Sequence, residues 1–226
     1  MRALVHSGII LSAAGGALVL AACGSAPGNP PIDAPPVVTL DCPTYCNEIE
    51  TNCMGLNAQY PTMAQCMATC AKFTTPGTLA DTSGNTLGCR IYHAGEPSRL
   101  TPIIHCIHAG PAGAQTNAAG QCGDACTDFC SLNLATCTNT LAQYADMDTC
   151  LTACNGTGTG TGFNKANPYL IDGTKTPPVP PAGDSLACRL YHTTNAALDA
   201  AAATTHCPYT AAVPTAGSFC TGAATP

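Results

Sequence analysis

Seventeen cysteines in 226 residues constrain this chain more than any other feature. Sixteen of them follow residue 41, and they fall into two sets of eight. Cys42, Cys46, Cys53, Cys66 and Cys70 recur as Cys126, Cys130, Cys137, Cys150 and Cys154, each 84 residues further on, so that C-x3-C-x6-C-x12-C-x3-C is written twice without a change of spacing. Cys89, Cys106 and Cys122 return as Cys188, Cys207 and Cys220 with slightly larger offsets. The extra length is explained by a Gly/Thr/Pro-rich insertion at 155–184, which reads as a surface loop. Other residues repeat with the cysteines: Ala58-Gln59-Tyr60 as Ala142-Gln143-Tyr144, Cys89-Arg90-Ile91-Tyr92-His93 as Cys188-Arg189-Leu190-Tyr191-His192, and His105-Cys106 as His206-Cys207. A duplicated module follows, with copy 1 at 41–122, copy 2 at 123–221 and a tail at 222–226.

Composition explains why cysteine carries such weight. The chain has no Trp, only 5% aromatic and 9% charged residues, and 22 Gly and 19 Pro, so apolar burial alone is a weak source of stability. With 7 Lys plus Arg and a formal net charge of -6, it lacks the basic surface that phosphate backbones require, and nucleic acid is excluded as an expected partner.

The beginning of the chain reads as an address. Arg2 precedes an apolar run from Gly8 to Ala22, too short and too rich in Ala and Gly for a membrane span and suited to an export signal over 1–22. The run ends Leu20-Ala21-Ala22-Cys23, which resembles the lipobox of bacterial lipoproteins. The resemblance implies cleavage before Cys23 and acylation of that residue, and two or more acyl chains give stable membrane anchoring. In lipoproteins of this type Asp after the lipidated Cys retains the protein in the inner membrane. Gly24 at that place implies the outer membrane, on its periplasmic face or at the cell surface. Residues 23–40 hold five Pro and read as an extended tether.

Each module reads as all-α, with three or four short helices stapled by disulfides. Cys42, Cys46 and Cys53 share one helical face. Thr62 to Gln65 has the capping-box pattern, and Asp146 is an N-cap in copy 2, so Cys66/Cys70 and Cys150/Cys154 each sit one turn apart on a second helix. Leu87 to His93 and Leu186 to His192 suggest a third helix. Ala196 to Thr204 suggests a fourth, shortened by Pro102 in copy 1. An exported chain meets an oxidising compartment, where sixteen thiols should form eight bridges. Antiparallel packing across the turn is expected to pair Cys53 with Cys66 and Cys46 with Cys70, and likewise Cys137 with Cys150 and Cys130 with Cys154. The spacing offers no partner for Cys42, Cys89, Cys106, Cys122, Cys126, Cys188, Cys207 or Cys220. The eight-cysteine pattern matches no family of established activity.

Chemistry is sparse. No C-x-x-C occurs, which removes the usual thioredoxin-like, zinc-knuckle and covalent-haem motifs. Glu48 and Glu50 have no carboxylate counterparts in copy 2, Ser is scarce, and the GTGTGTG run lies in the insertion, so no catalytic residues are expected. The recurring histidines, His93 with His105 and His192 with His206, are the candidates for metal ligands, for Cu, Zn or a non-covalent haem. Against that stands the structural role of a histidine four residues after a cysteine on a short helix, which caps carbonyls or packs on a bridge. Arg90 and Arg189 are expected to bond loop carbonyls, the alternative being an acidic group of a bound ligand, and Tyr60, Tyr144, Met63 and Met147 to fill the core. The chain is thus expected to be a non-catalytic, lipid-anchored envelope protein without a cofactor, binding a protein or a small molecule. The alternative is a metal- or haem-binding protein built on the histidine pairs.

Overall fold

A computed structural model describes residues 38–113, 121–156, 162–163, 183–214 and 219–221. The export signal, Cys23, nearly all of the tether, most of the 155–184 insertion and the tail lie outside the described residues. Copy 1 contributes α1 (Cys42–Asn52), α2 (Met63–Cys70), α3 (Leu87–Ala94), α4 (Glu96–Leu100) and α5 (Pro102–Ala109). Copy 2 contributes α6 (Ala125–Thr136), α7 (Met147–Asn155), α8 (Leu186–Ala196) and α9 (Ala200–His206). The described residues contain no strand, and the fold is a disulfide-stapled all-α assembly.

Local chemistry sets where these helices start. Asp41, Thr62, Thr86, Asp124, Asp146, Ser185 and Asp199 each accept a hydrogen bond from the backbone N–H three residues on, which satisfies one of the donors a helix start leaves open. Pro102 does not shorten the fourth element of copy 1. It occupies the first position of α5, where its missing N–H costs nothing, and α5 is eight residues long against seven for α9. Copy 1 also holds α4, opened by Glu96-Pro97, where copy 2 instead extends α8 to Ala196.

All eight bridges close within one copy, but their pairing differs from the expected one. Cys42 bonds Cys70 and Cys46 bonds Cys66; Cys126 bonds Cys154 and Cys130 bonds Cys150. The expected pairs Cys53–Cys66, Cys46–Cys70, Cys137–Cys150 and Cys130–Cys154 do not form. The reason is the rise of the helix. A four-residue step advances about 6 Å along either helix, so C-x3-C on α1 lies in register with C-x3-C on antiparallel α2. Pairing a seven-residue step with a four-residue step would require steep tilting. Cys53, just past the end of α1, instead reaches Cys106 on α5, and Cys137 likewise reaches Cys207. Cys89–Cys122 and Cys188–Cys220 tie the start of α3 and of α8 to the end of each copy.

The buried apolar residues gather mainly in one cluster within copy 1 and another centred on copy 2 that also takes in Ala112 of copy 1. In copy 1 Tyr45, Ile49, Tyr60, Leu87 and Ile91 pack around the bridges of α1 and α2, with Leu40 and Phe73 against them. In copy 2 Phe129, Tyr144, Phe163, Leu186 and Leu190 do the same. Tyr60 and Tyr144 are buried as expected, whereas Met63 is exposed and Met147 only partly buried. Phe163 belongs to the insertion expected to be a surface loop, yet it is buried against Phe129 and under the Arg189 guanidinium. The hydroxyls show how the copies diverged. Tyr144 donates directly to the Thr210 carbonyl; in copy 1 the corresponding Ala109 carbonyl accepts from Tyr45, whose hydroxyl also bonds Tyr60. Copy 2 has Phe129 at the Tyr45 position, so its tyrosine makes the carbonyl contact alone.

The copies meet through polar contacts that the repeat does not announce. Gln65 on α2 donates to the Asn195 side chain on α8 at 2.6 Å. Arg90 on α3 forms a fully buried ion pair with Asp128 on α6, 2.9 Å apart. Asp128 stands where copy 1 has Thr44. Its carboxylate is walled by Gly113 and Gly123, both at positive φ, and a Cβ on either would collide with it. Among the described residues Arg189 has no such partner in the other copy. It is satisfied within copy 2 by exposed Asp184 and by the carbonyls of Ser185, Ala211 and Ala212.

Candidate metal centre

The recurring histidines come together in each copy. His93 lies in the last turn of α3, four residues after Cys89 and on the same helical face. His105 lies on α5 next to Cys106, which the bridge to Cys53 holds against the end of α1. The two rings face each other with Nδ1 atoms 2.9 Å apart. In copy 2 the Nδ1 atoms of His192 and His206 stand 2.8 Å apart. The pairs of the two copies do not join into one site.

The hydrogen bonds of copy 1 define the tautomers. His93 Nε2 lies 3.1 Å from the Thr82 carbonyl, which can only accept, so Nε2 carries the hydrogen and Nδ1 of neutral His93 is a bare lone pair. His105 then donates through Nδ1 to that lone pair. Burial lowers the pKa of His93, with the Thr82 contact opposing and His105 adding to the fall.

A third imidazole completes copy 1. His108 follows His105 by three residues on α5, so the two project from the same side of the helix. Its ring meets that of His93 edge-on at 5.0 Å and that of His105 at 5.6 Å. Its Nδ1 is buried without a hydrogen-bond partner. Burial, and then the nearness of His93 and His105, hold its pKa down at about 4, so the ring is neutral at pH 7. One nitrogen from each of His93, His105 and His108 lies within 4.8 Å of the other two. His108 does not recur, since copy 2 carries Tyr209 there; its only mark in the sequence is the three-residue step from His105 along one helix.

Copy 2 is built differently around the same pair. His192 is buried against Tyr209 and Phe219, and its Nε2 has no hydrogen-bond partner. Burial lowers the pKa of His192 to about 3 and also lowers that of His206. In both copies the first histidine also lies beside a bridge, within 4.8 Å of the sulfurs of Cys89 and Cys122 or of Cys188 and Cys220. Those sulfurs are bonded to each other and are not thiolate ligands.

The depressed pKa of His192 has a consequence for acid stability. Unfolded chain takes up a proton near pH 6.5, while folded His192 resists until about pH 3, so its stability contribution is complete above pH 6.5 and is lost as pH falls. The slope is at most about 1.4 kcal/mol per pH unit. Replacing His192 by Phe should therefore flatten the fall of Tm between pH 6.5 and 4. Asp128, whose shift has the opposite sign, and the histidines of copy 1 are common to both proteins and cancel in the comparison. Parallel Tm curves for the two proteins would show that the His192 ring accepts a proton without loss of its packing.

Among the described residues no helix is long and apolar enough to cross a membrane. No curated protein and no solved structure matches the chain. Copy 1 does have a counterpart that the cysteine spacing alone did not reveal: residues 39–128, which include its three histidines and end on Asp128, match the model of the BfoA family C-terminal domain.

Proposed function

We propose that this chain is a lipid-anchored protein of the cell envelope, a non-catalytic binding or structural element whose two modules are hardened by disulfides. The observation that carries the reading is the pairing of all sixteen cysteines from Cys42 to Cys220 into eight bridges, the state of a chain that matures in an oxidising compartment. Leu20-Ala21-Ala22-Cys23 supplies the anchor, and Gly24 directs it to the outer membrane. The partner is a protein or a small molecule. Leu100, Ile103 and Ile104, exposed where α4 meets α5, support a binding role, since large apolar side chains grouped on a surface mark contact sites.

Metabolic labelling with a radioactive fatty acid, followed by detergent phase partitioning, tests the anchor. The wild-type chain should carry label, enter the detergent phase and band with outer membranes on a density gradient. Cys23→Ser should lose both label and detergent partitioning. A Cys23→Ser variant that still partitions like wild type would overturn the anchored reading.

A further inference from the structure

We propose that His93, His105 and His108 form a three-histidine site in copy 1 for a divalent transition metal of the Cu(II) or Zn(II) class, and that copy 2 lacks it. Three imidazoles with a position left open are a donor set that both ions accept. The distances need little adjustment. With metal–nitrogen bonds of about 2.0–2.1 Å, nitrogens sharing one ion stand about 2.9 Å apart at a right angle and about 3.3 Å apart at the tetrahedral angle. The Nδ1 atoms of His93 and His105 already stand 2.9 Å apart, and one nitrogen from each of the three rings lies within 4.8 Å of the others. A tilt of the His108 ring, on a side chain whose Nδ1 has no competing bond, closes the remainder.

The hydrogen bond beyond the ligand supports the same assignment. A metal-binding histidine typically donates its other ring N–H to a carbonyl or carboxylate, which fixes the tautomer and aims the lone pair. His93 does this through Nε2 to Thr82, leaving Nδ1 as the ligand atom. Between His93 and His105 there is now one N–H. When an ion takes its place, Nδ1 of His105 gives up that hydrogen and the ring binds as its Nε2–H tautomer. His105 is only partly buried, which makes this exchange with solvent direct. Copy 2 departs twice from this arrangement: Tyr209 replaces the third imidazole, and His192 Nε2 has no carbonyl to orient it. The two copies therefore supply an internal control within one chain.

The test is titration of the untagged full chain in detergent, at pH 7, with Cu(II) and separately with Zn(II), read by calorimetry and by metal content after gel filtration. The expected stoichiometry is one ion per chain, with Cu(II) the tighter. His108→Tyr, which copies the second module, should weaken binding at least tenfold, and His206→Ala should leave it unchanged. The Cu(II) electron paramagnetic resonance spectrum of wild type should show hyperfine coupling to more than two nitrogens, reduced in His108→Tyr. Circular dichroism of His108→Tyr should match wild type, since Tyr209 occupies the corresponding place in copy 2. Absence of binding, equal binding by His108→Tyr, or loss of binding in His206→Ala would each overturn the proposal. None of these outcomes depends on whether Cys23 is acylated, so failure here is distinct from failure of the anchor.

Discussion

Replacing Asp128 by alanine should destabilise the chain by about 3–5 kcal/mol, because it leaves the Arg90 guanidinium buried without its counter-charge. Arginine cannot shed its proton, and Arg90 is buried under Asn85, Thr86 and Phe73, with Asp128 its one charged partner among the described residues. At about 2–4 °C per kcal/mol for a chain of this size, Tm should fall by roughly 10 °C, measured by circular dichroism with all bridges oxidised. The intact pair is not itself a large source of stability. Burial pushes the Asp128 carboxyl up to about 7 despite the nearby Arg90, so removing its charge from water costs more than the ion pair returns. The double variant Arg90→Met/Asp128→Leu should accordingly recover most of the loss. A change under about 1 kcal/mol in Asp128→Ala would mean that water reaches Arg90 and that the joint is looser than the buried pair implies.

Reduction should have the largest effect of all. The helices run from five to twelve residues, and isolated helices shorter than about 12 residues are marginal in water. The bridges close loops of 20 to 70 residues. At about 2–4 kcal/mol for a typical bridge, four in each copy match the entire stability of an ordinary domain, about 5–15 kcal/mol. Strong reductant at 25 °C should therefore abolish most of the far-UV helical signal in both copies. Alkylation before reduction should find no free thiol between Cys42 and Cys220. Retention of the full helical signal in reductant would mean that the small aromatic cores hold the helices unaided.

Much of this architecture was legible in the sequence because it is written twice. The helix starts at Thr62 and Asp146 follow from side chains that cap their own backbone, a local property that needs no knowledge of the fold. The histidine pairs were legible for the same reason, since His93/His105 and His192/His206 recur with their cysteines. Disulfide partners were not, because Cys53 and Cys137 lie at helix ends where the partner depends on how a distant helix packs, and Cys106 is 53 residues away from Cys53. Recurrence also conceals whatever belongs to a single copy. His108 faces Tyr209 in the alignment of the copies and Asp128 faces Thr44, so the third imidazole and the joint between the copies are visible only once the helices are assembled.

The contrast between the two arginines gives the pair of modules a direction. Arg189 is neutralised at home, by Asp184 and by carbonyls of its own copy. Arg90 depends on a residue of the module that follows it. The dependence is lopsided, because an orphaned carboxyl can take up a proton and go silent while an orphaned guanidinium keeps its charge. Copy 2 can thus end a series, and copy 1 can only precede a neighbour. Exchanging their order, or cutting after Cys122, would take Asp128 from beside Arg90.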